Sequence, residues 1–265
     1  MIVLKLGGSI LTKDIPNFFG DLKYYITQDE VILVHGGSYI VNDVAERMGV
    51  MPKFIVSPTG FRSRYTDEEM IEIYQMTVAG KVNKDLVAKL QSHGINALGL
   101  SGMDCALIKA KRKMRVKSVE EEDIRIVKNN YTGRIRRINP KVLRNLLSMG
   151  YIPVIAPIAL GEEFEPLNID GDRLAASVAG AVEADRLVIF TDVPGVLADN
   201  RLVRWIEEEK IDEAIRSVKA GMKRKLHGAK EALNLGVRKV IICSIFKQKP
   251  LTSALKHEDC TVISK

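Results

Sequence analysis

Short runs of Val, Ile and Leu recur along this chain, each separated from the next by a longer amphipathic stretch. Ile2 to Leu6, Val31 to Val34, Ala97 to Leu100, Ile152 to Ala156, Arg186 to Thr191 and Lys239 to Cys243 are too short for helices and scarcely interrupted by polar residues. A strand with one wet face alternates apolar and polar residues; an uninterrupted run must be covered on both faces. Covered strands separated by helices form a largely parallel sheet, so the pattern predicts an α/β fold. With 265 residues, that means one large domain or two closely packed lobes.

The segments between the runs carry helix signals. Thr66-Asp-Glu-Glu reads as a capping box, with Thr66 capping the backbone and Glu69 reaching back, opening a long helix towards His93. Pro140 starts another helix that ends near Met149-Gly150. Asp172 to Val182 is rich in alanine and fit for close packing on the sheet, and Ala220 to Leu235 forms a helix stopped by Gly236. One stretch breaks the rhythm. Leu107 to Ile138 alternates β-branched with charged residues, which predicts a β-hairpin excursion beside the sheet, with Tyr131-Thr132-Gly133 as a turn. A soft boundary at Leu160 to Pro166 divides an N-lobe, about 1–160, from a C-lobe, about 161–265.

The chemistry-bearing residues cluster where strands end. Lys5 lies inside an apolar strand, which is costly unless it meets an anion, and Gly7-Gly8 follow at once. The second strand ends in His35-Gly36-Gly37-Ser38 before a helix, whose N-terminus favours negative charge. Paired glycines let backbone N–H groups approach phosphate oxygens, and two such turns on neighbouring strands would face one crevice. Neither a GxxxxGK[ST] loop nor a GxGxxG turn is present, which disfavours P-loop kinases and dinucleotide-binding dehydrogenases. Asn168 and Asp172 precede or open the alanine-rich helix, where Asp172 could act as a cap or as an acid in the site. Thr191-Asp192 and Gly195-Val196 form a polar turn after a buried strand. Gly221-Met222-Lys223-Arg224-Lys225 concentrates positive charge at a helix start, against the helix dipole, as though an anion compensated it.

The set Lys5-x-Gly7-Gly8, His35-Gly36-Gly37, Asn168-x-x-x-Asp172, Thr191-Asp192-x-x-Gly195-Val196 and Gly221-Met222-x-x-Lys225 resembles the amino acid kinase family, in order and spacing, from Ile2 almost to the C-terminus. Within it the chain is most similar to the acetylglutamate kinase branch. Ser57 to Asp67, Tyr131-Thr132-Gly133 and Ala156-Pro157-Ile158 resemble archaeal kinases that act on an amino-group carrier protein in lysine and arginine synthesis. The resemblance implies a three-layer αβα sandwich of the carbamate kinase-like kind. It also implies ATP, with Mg2+ bound to it, as phosphoryl donor. The acceptor would be the side-chain carboxylate of an amino-blocked aminoadipate or glutamate.

On that resemblance Lys5 and Lys225 neutralise charge on the transferring phosphoryl group, and Asp172 holds both lysines. Amides of Gly8, Gly36 and Gly37 line the phosphoryl path. Arg62 forks onto the acceptor's α-carboxylate, and Asn168 holds it near the blocked amino group. Asp192, Gly195, Val196 and Met222 surround the nucleotide. Relatives usually carry a third glycine where Ser38 stands, which points to a difference in the acceptor pocket. Alternatives are a kinase for free acetylglutamate and an isopentenyl phosphate kinase. The latter usually has Phe-Gly-His after the second glycine turn, where this chain has Ser38-Tyr39-Ile40-Val41.

Charge adds a partner. The net charge of +7 is gathered at Lys109, Lys111, Arg112, Lys113, Arg115 and Lys117, then Arg134, Arg136 and Arg137. Such a patch would steer an acidic carrier protein. Nucleic acid fits it less well, because the segment has one aromatic, Tyr131, and the acids Glu120 to Asp123. Cys105, Cys243 and Cys260 are scattered and show no zinc spacing, so each reads as a small buried apolar residue. No apolar run reaches the roughly 18 to 20 residues that cross a bilayer. Met1 leads directly into the first strand, so no membrane contact and a cytoplasmic setting are expected. Relatives imply a homodimer.

Overall fold

The computed structural model describes residues 1–265 except Thr59, Phe61, Glu121 and Glu122. All six apolar runs are strands. They are β1 (Ile2–Leu6) and β2 (Val31–His35), with β3 (Phe54–Val56) and β4 (Arg62–Arg64) pairing as a small ribbon; then β5 (Ala97–Gly102), β6 (Ile108–Arg112), β7 (Arg115–Glu120), β8 (Asp123–Lys128), β9 (Gly133–Ile138), β10 (Ile152–Leu160), β11 (Pro166–Asn168) and β12 (Arg186–Thr191). The short pair β13 (Leu197–Ala198) and β14 (Arg201–Leu202) precedes β15 (Trp205–Glu207), β16 (Lys239–Ser244) and β17 (Thr261–Ser264). Among the described residues an 11-stranded sheet runs β15-β17-β16-β12-β1-β2-β10-β6-β9, with β5 and β11 also pairing β10. Its centre, β16-β12-β1-β2-β10, is parallel throughout.

Helices cover both faces: α1 (Pro16–Tyr25), α2 (Ser38–Arg47), α3 (Glu68–Gln75), α4 (Asn83–Ser92), α5 (Pro140–Ser148), α6 (Gly171–Ala181), α7 (Ile211–Ser217), α8 (Ala220–Asn234) and α9 (Pro250–Leu255). Strand alternation sorts β1 between the layers. Val3 packs in the core beneath α6 and α8, while Ile2, Leu4 and Leu6 pack with Phe18, Phe19 and Leu22 of α1. Each such side chain, removed from water, contributes about 1.5–3 kcal/mol. Lys5 has the parity of Val3 and so faces α6, and that parity builds the site. The three-layer αβα sandwich expected from the sequence is the architecture observed.

Four local expectations are corrected. Asp67, not Thr66, caps α3, its carboxylate accepting from Met70 N at 3.0 Å. Thr66 is instead fully buried. The long helix towards His93 is interrupted by a π turn at Met76–Val82, which separates α3 from α4. The excursion is two stacked hairpins: β6 with β9 extends the main sheet, and β7 with β8 stands outside it. Tyr131-Thr132-Gly133 is therefore not a hairpin turn but the entry to β9, while the acids Glu121 and Glu122 lie outside the described residues. Cys243 and Cys260 are buried as expected, but Cys105 is exposed, in a turn where its φ is 52°. The stretch Leu160 to Pro166 turns β10 back into β11. Among the described residues no helix is long and apolar enough to cross a membrane.

Candidate active site

Lys5 and Asp172 meet in the interior. The Lys5 Nζ lies 2.5 Å from the Asp172 Oδ1, and both residues are almost wholly buried. Asp172 is free for this because Asp170 caps α6, accepting from the N–H groups of Asp172 and Arg173 at 3.0 Å. Helix α8 is pressed onto it: a side chain at Gly228 would begin 3.1 Å from the Asp172 carbonyl oxygen, so glycine there admits the close crossing. One turn earlier, Lys225 joins the pair. Burial pushes the Asp172 pKa up, but Lys5 and then Lys225 outweigh it, leaving the carboxyl below its ordinary value. Burial pulls Lys225 down, the Lys5 charge adds to that, and Asp172 and Asp192 oppose it. Lys5 is ion-paired to Asp172, and the charge of Lys225 bears on the same carboxylate, so positive charge is gathered in a desolvated place. An anion would relieve it.

The glycine turns close against this centre. A side chain at Gly8 would begin 2.9 Å from Gly37 N, and one at Gly36 would begin 3.0 Å from Gly8 N. Backbone thus faces backbone where side chains would otherwise stand. A side chain at Gly171 would begin 3.7 Å from the Lys5 Cε, so the crevice continues to the start of α6. The Gly36 N–H donates to the Leu6 carbonyl at 2.9 Å, so Gly36 gives the crevice its bare Cα and not its amide. Gly37 and Ser38 begin α2, where the first amides have no acceptor within the helix.

On the side of β4 and β11, two arginines alternate in and out. Arg62 is exposed and stacks on Phe54, 3.9 Å from its ring centre, and its carbonyl accepts from Arg224 next to Lys225. Arg64 is buried. Its Nη2 donates to Ser38 O at 2.9 Å, while Nη1 is buried with no hydrogen-bond partner among the described residues, and burial pulls its pKa down. A buried guanidinium N–H of this kind is suited to binding a carboxylate. Asn168 Nδ2 donates to the Thr66 hydroxyl at 3.0 Å, and its N–H donates to Tyr131 O, whose own N–H donates to Thr66 O. The Tyr131 ring is covered by Arg112 at 3.4 Å. Thr66, Tyr131 and Asn168 therefore form one stitched wall.

A sequence model of the amino acid kinase family matches residues 1–244. The chain belongs to that family. A Saccharolobus islandicus (strain L.S.2.15 / Lassen #1) protein named LysW-aminoadipate/LysW-glutamate kinase is 40% identical over 266 residues, covering all of both chains. A Cenarchaeum symbiosum (strain A) protein, provisionally given the same name, is 43% identical over 264 residues, 99% of each. The solved structure of smu.665 from Streptococcus mutans UA159 has a TM-score of 0.80 at 25% identity, covering 99% of this chain and 98% of that one.

For an amino acid kinase, ATP is the phosphoryl donor, and the donor set fits it: buried cations and glycine turns converge on one crevice. Among the described residues no group of three or more His, Cys, Asp and Glu side chains could hold a metal ion. The turn after β12 is built differently. Val196 is buried and its N–H donates to the Thr261 hydroxyl at 2.8 Å; a side chain at Gly195 would begin 2.5 Å from that hydroxyl. Both residues pin the turn to β17, and Met222 is half-buried against the core under α8. Asp192, at the exit of β12, faces Lys225 electrostatically.

Sequence reasoning missed Arg64 and Thr66. Arg64 sits two positions from Arg62 in the same Arg-Ser-Arg run, and only the pairing of β3 with β4, which sets which arginine turns inward, tells them apart.

Proposed function

We propose that this chain transfers the γ-phosphoryl group of ATP to the side-chain carboxylate of an aminoadipate or glutamate whose amino group is blocked by an acidic carrier protein. This is a step in lysine and arginine biosynthesis. The observation that carries it is the buried Lys5–Asp172 pair, with the charge of Lys225 bearing on it, beside two glycine turns, in a chain end-to-end similar to kinases named for LysW-linked substrates.

Each residue has a task. Lys5 and Lys225 neutralise the charge that spreads over the equatorial oxygens during transfer, and Asp172 holds Lys5 in place while its charge opposes the fall of the Lys225 pKa. Gly8 and Gly37 offer N–H groups along the phosphoryl path, and Gly36 leaves room for it. The acceptor needs no general base, because its carboxylate is already ionised near neutral pH. Arg64 takes the α-carboxylate with its unmatched Nη1, the task that the resemblance gives Arg62, which stays at the pocket mouth on Phe54. Asn168, braced by Thr66, holds the blocked amino end. Asp192, Gly195, Val196 and Met222 shape the nucleotide side. Magnesium bound to the nucleotide would supply charge neutralisation on its phosphates. In this reading residues about 1–160, joined by Asn168, serve the acceptor and the rest of about 161–265 the nucleotide, and two copies form a homodimer in the cytoplasm.

The carrier docks on the outer hairpin. Arg115, Lys117 and Val119 of β7 pair across to Lys128, Ile126 and Ile124 of β8, so these side chains share one face. Ile124 and Ile126 are each 59% exposed between the cations. That mixture suits an acidic protein with some apolar surface.

An ATP-dependent hydroxamate assay tests the reading, comparing free acetylglutamate with carrier-linked glutamate and aminoadipate. Carrier-linked acceptors should be strongly preferred. Equal or better turnover of free acetylglutamate would defeat the carrier, and no acyl phosphate from any acceptor would defeat the kinase.

A further inference from the structure

His35 ends β2, is fully buried, and takes no part in the ion-pair centre. Both ring nitrogens are engaged: Nδ1 lies 2.8 Å from Gly36 O, and Nε2 lies 3.0 Å from Asn83 Nδ2. The surroundings fix which nitrogen carries the hydrogen. Asn83 Oδ1 accepts from the Lys84 Nζ at 3.1 Å, and Asn83 Nδ2 donates to the Val154 carbonyl at 2.9 Å, so its NH2 end faces the ring. The Nε2 must therefore accept, and the Nδ1–H donates to Gly36 O.

That bond has a consequence one atom further on. In a planar trans peptide the C=O and the next N–H point in opposite directions. Holding Gly36 O towards His35 aims the Gly37 N–H away from it, and Gly37 N lies beside Gly8 across the crevice. A peptide with glycine on both sides has no side chain to resist turning over. We propose that His35, held in its Nδ1–H form by Asn83, is a positioning residue that locks the Gly36–Gly37 peptide with its N–H aimed into the phosphoryl crevice.

The surroundings are built to deliver Asn83. It is 1% exposed and is the first residue after the π turn, a widened coil that is frequent at functional sites. A side chain at Gly99 would collide with Asn83 Oδ1, and Lys84, which braces that oxygen, also donates to the Gly99 carbonyl at 3.0 Å. Lys84 of α4 is the charged group facing the imidazole; Lys5 of β1 and Asp172 of α6 adjoin the turn through its backbone and Gly171. Burial, aided by Lys84, pulls His35 down to about 4 against the opposing Gly36 bond, so the ring stays neutral at working pH.

Two measurements test the lock. Ring-nitrogen NMR of the wild-type protein should show Nδ1 protonated and Nε2 bare from about pH 5 to 9; the reverse tautomer overturns the proposal whatever the enzyme's substrate. Asn83→Asp then supplies the kinetic readout. A carboxylate at 83 demands a hydrogen on Nε2, so the Gly36 bond survives only while the ring carries both protons. Turnover should fall about 10- to 100-fold as pH rises through the raised His35 pKa, with KM for the acceptor little changed. A variant profile of wild-type shape defeats the lock. The kinetic arm rests on the kinase reading, but a failure there would appear as missing wild-type turnover, which leaves the tautomer result to decide.

Discussion

The proposed phosphoryl centre and the outer hairpin are both strongly cationic, yet they are built on opposite terms. At the centre, Lys5 and Lys225 are desolvated, share Asp172, and rest on backbone that glycine brings into contact. On the hairpin, Arg115, Lys117 and Lys128 stand in solvent beside exposed Ile124 and Ile126. Charge in a low-dielectric place acts at short range on one geometry; charge in water acts at long range and yields to salt. The first arrangement suits transition-state stabilisation. The second suits the capture of a large partner.

The contrast breaks most visibly at Asp172. Asp172→Ala leaves two buried ammonium groups facing each other, so stability should fall by about 3–5 kcal/mol. Lys225→Ala removes one cation without orphaning Asp172, which keeps Lys5. It should lower kcat by about 100- to 1000-fold while leaving the KM for ATP within a few-fold. Chemical denaturation and steady-state kinetics read the two effects. Near-normal kcat in Lys225→Ala would remove the centre's claim to special status.

The acceptor pocket sharpens the comparison within a single strand. Arg64→Ala should raise acceptor KM by about 10- to 100-fold, since it removes a buried charge-assisted bond, whereas Arg62→Ala on the pocket mouth should shift it only a few-fold. The reverse order would return the carboxylate to Arg62.

This pair also marks how far the sequence could be read. Strand runs, the in-strand lysine and the glycine pairs are legible because each is a local pattern with a local physical cost. Lys5 needs an anion wherever its strand lies. The inward turn of Arg64 depends on the register of a three-residue ribbon, and Asn83 reaches His35 only through a π turn that leaves no periodic signature. Thr66 illustrates the same limit: Thr66-Asp-Glu-Glu is a sound capping signal, but Asp67 takes the cap and frees Thr66 to brace Asn168. Tertiary contacts chose between two local solutions.

The turn beside the centre also carries a pH signature. His35 has a folded pKa of about 4 against an ordinary 6.5, so the unfolded chain takes up its proton first as pH falls. Its contribution is complete above about pH 6.5 and is lost between there and about pH 4, to the extent of about 3 kcal/mol. Asp172, with its lowered pKa, contributes above its ordinary 3.8 and is lost only below that. Denaturation of His35→Gln across this range should show a flatter slope between pH 6.5 and 4 than wild type. An unchanged slope would mean that another group titrates there.

The smallest effect belongs to the hairpin, and it depends on choosing the right charges. Arg112 is unsuitable: it covers Tyr131 and donates to the Asn130 carbonyl, so its loss would disturb the wall behind Asn168. Arg115, Lys117 and Lys128 are exposed, and replacing all three by glutamine should leave the fold and the free-substrate rate intact. With a carrier-linked acceptor, kcat/KM should fall about 3- to 10-fold at low ionic strength, through KM, because solvent-exposed charge steers encounter and not chemistry. The deficit should vanish near 0.5 M salt, where the screening length is about 4 Å. If it persists at high salt, these three side chains act by direct contact and not by steering; if no deficit appears at low salt, the apolar part of the face, Ile124 and Ile126, carries the docking. If free and carrier-linked acceptors lose equally, the hairpin acts on the centre through β9 and is not a docking surface.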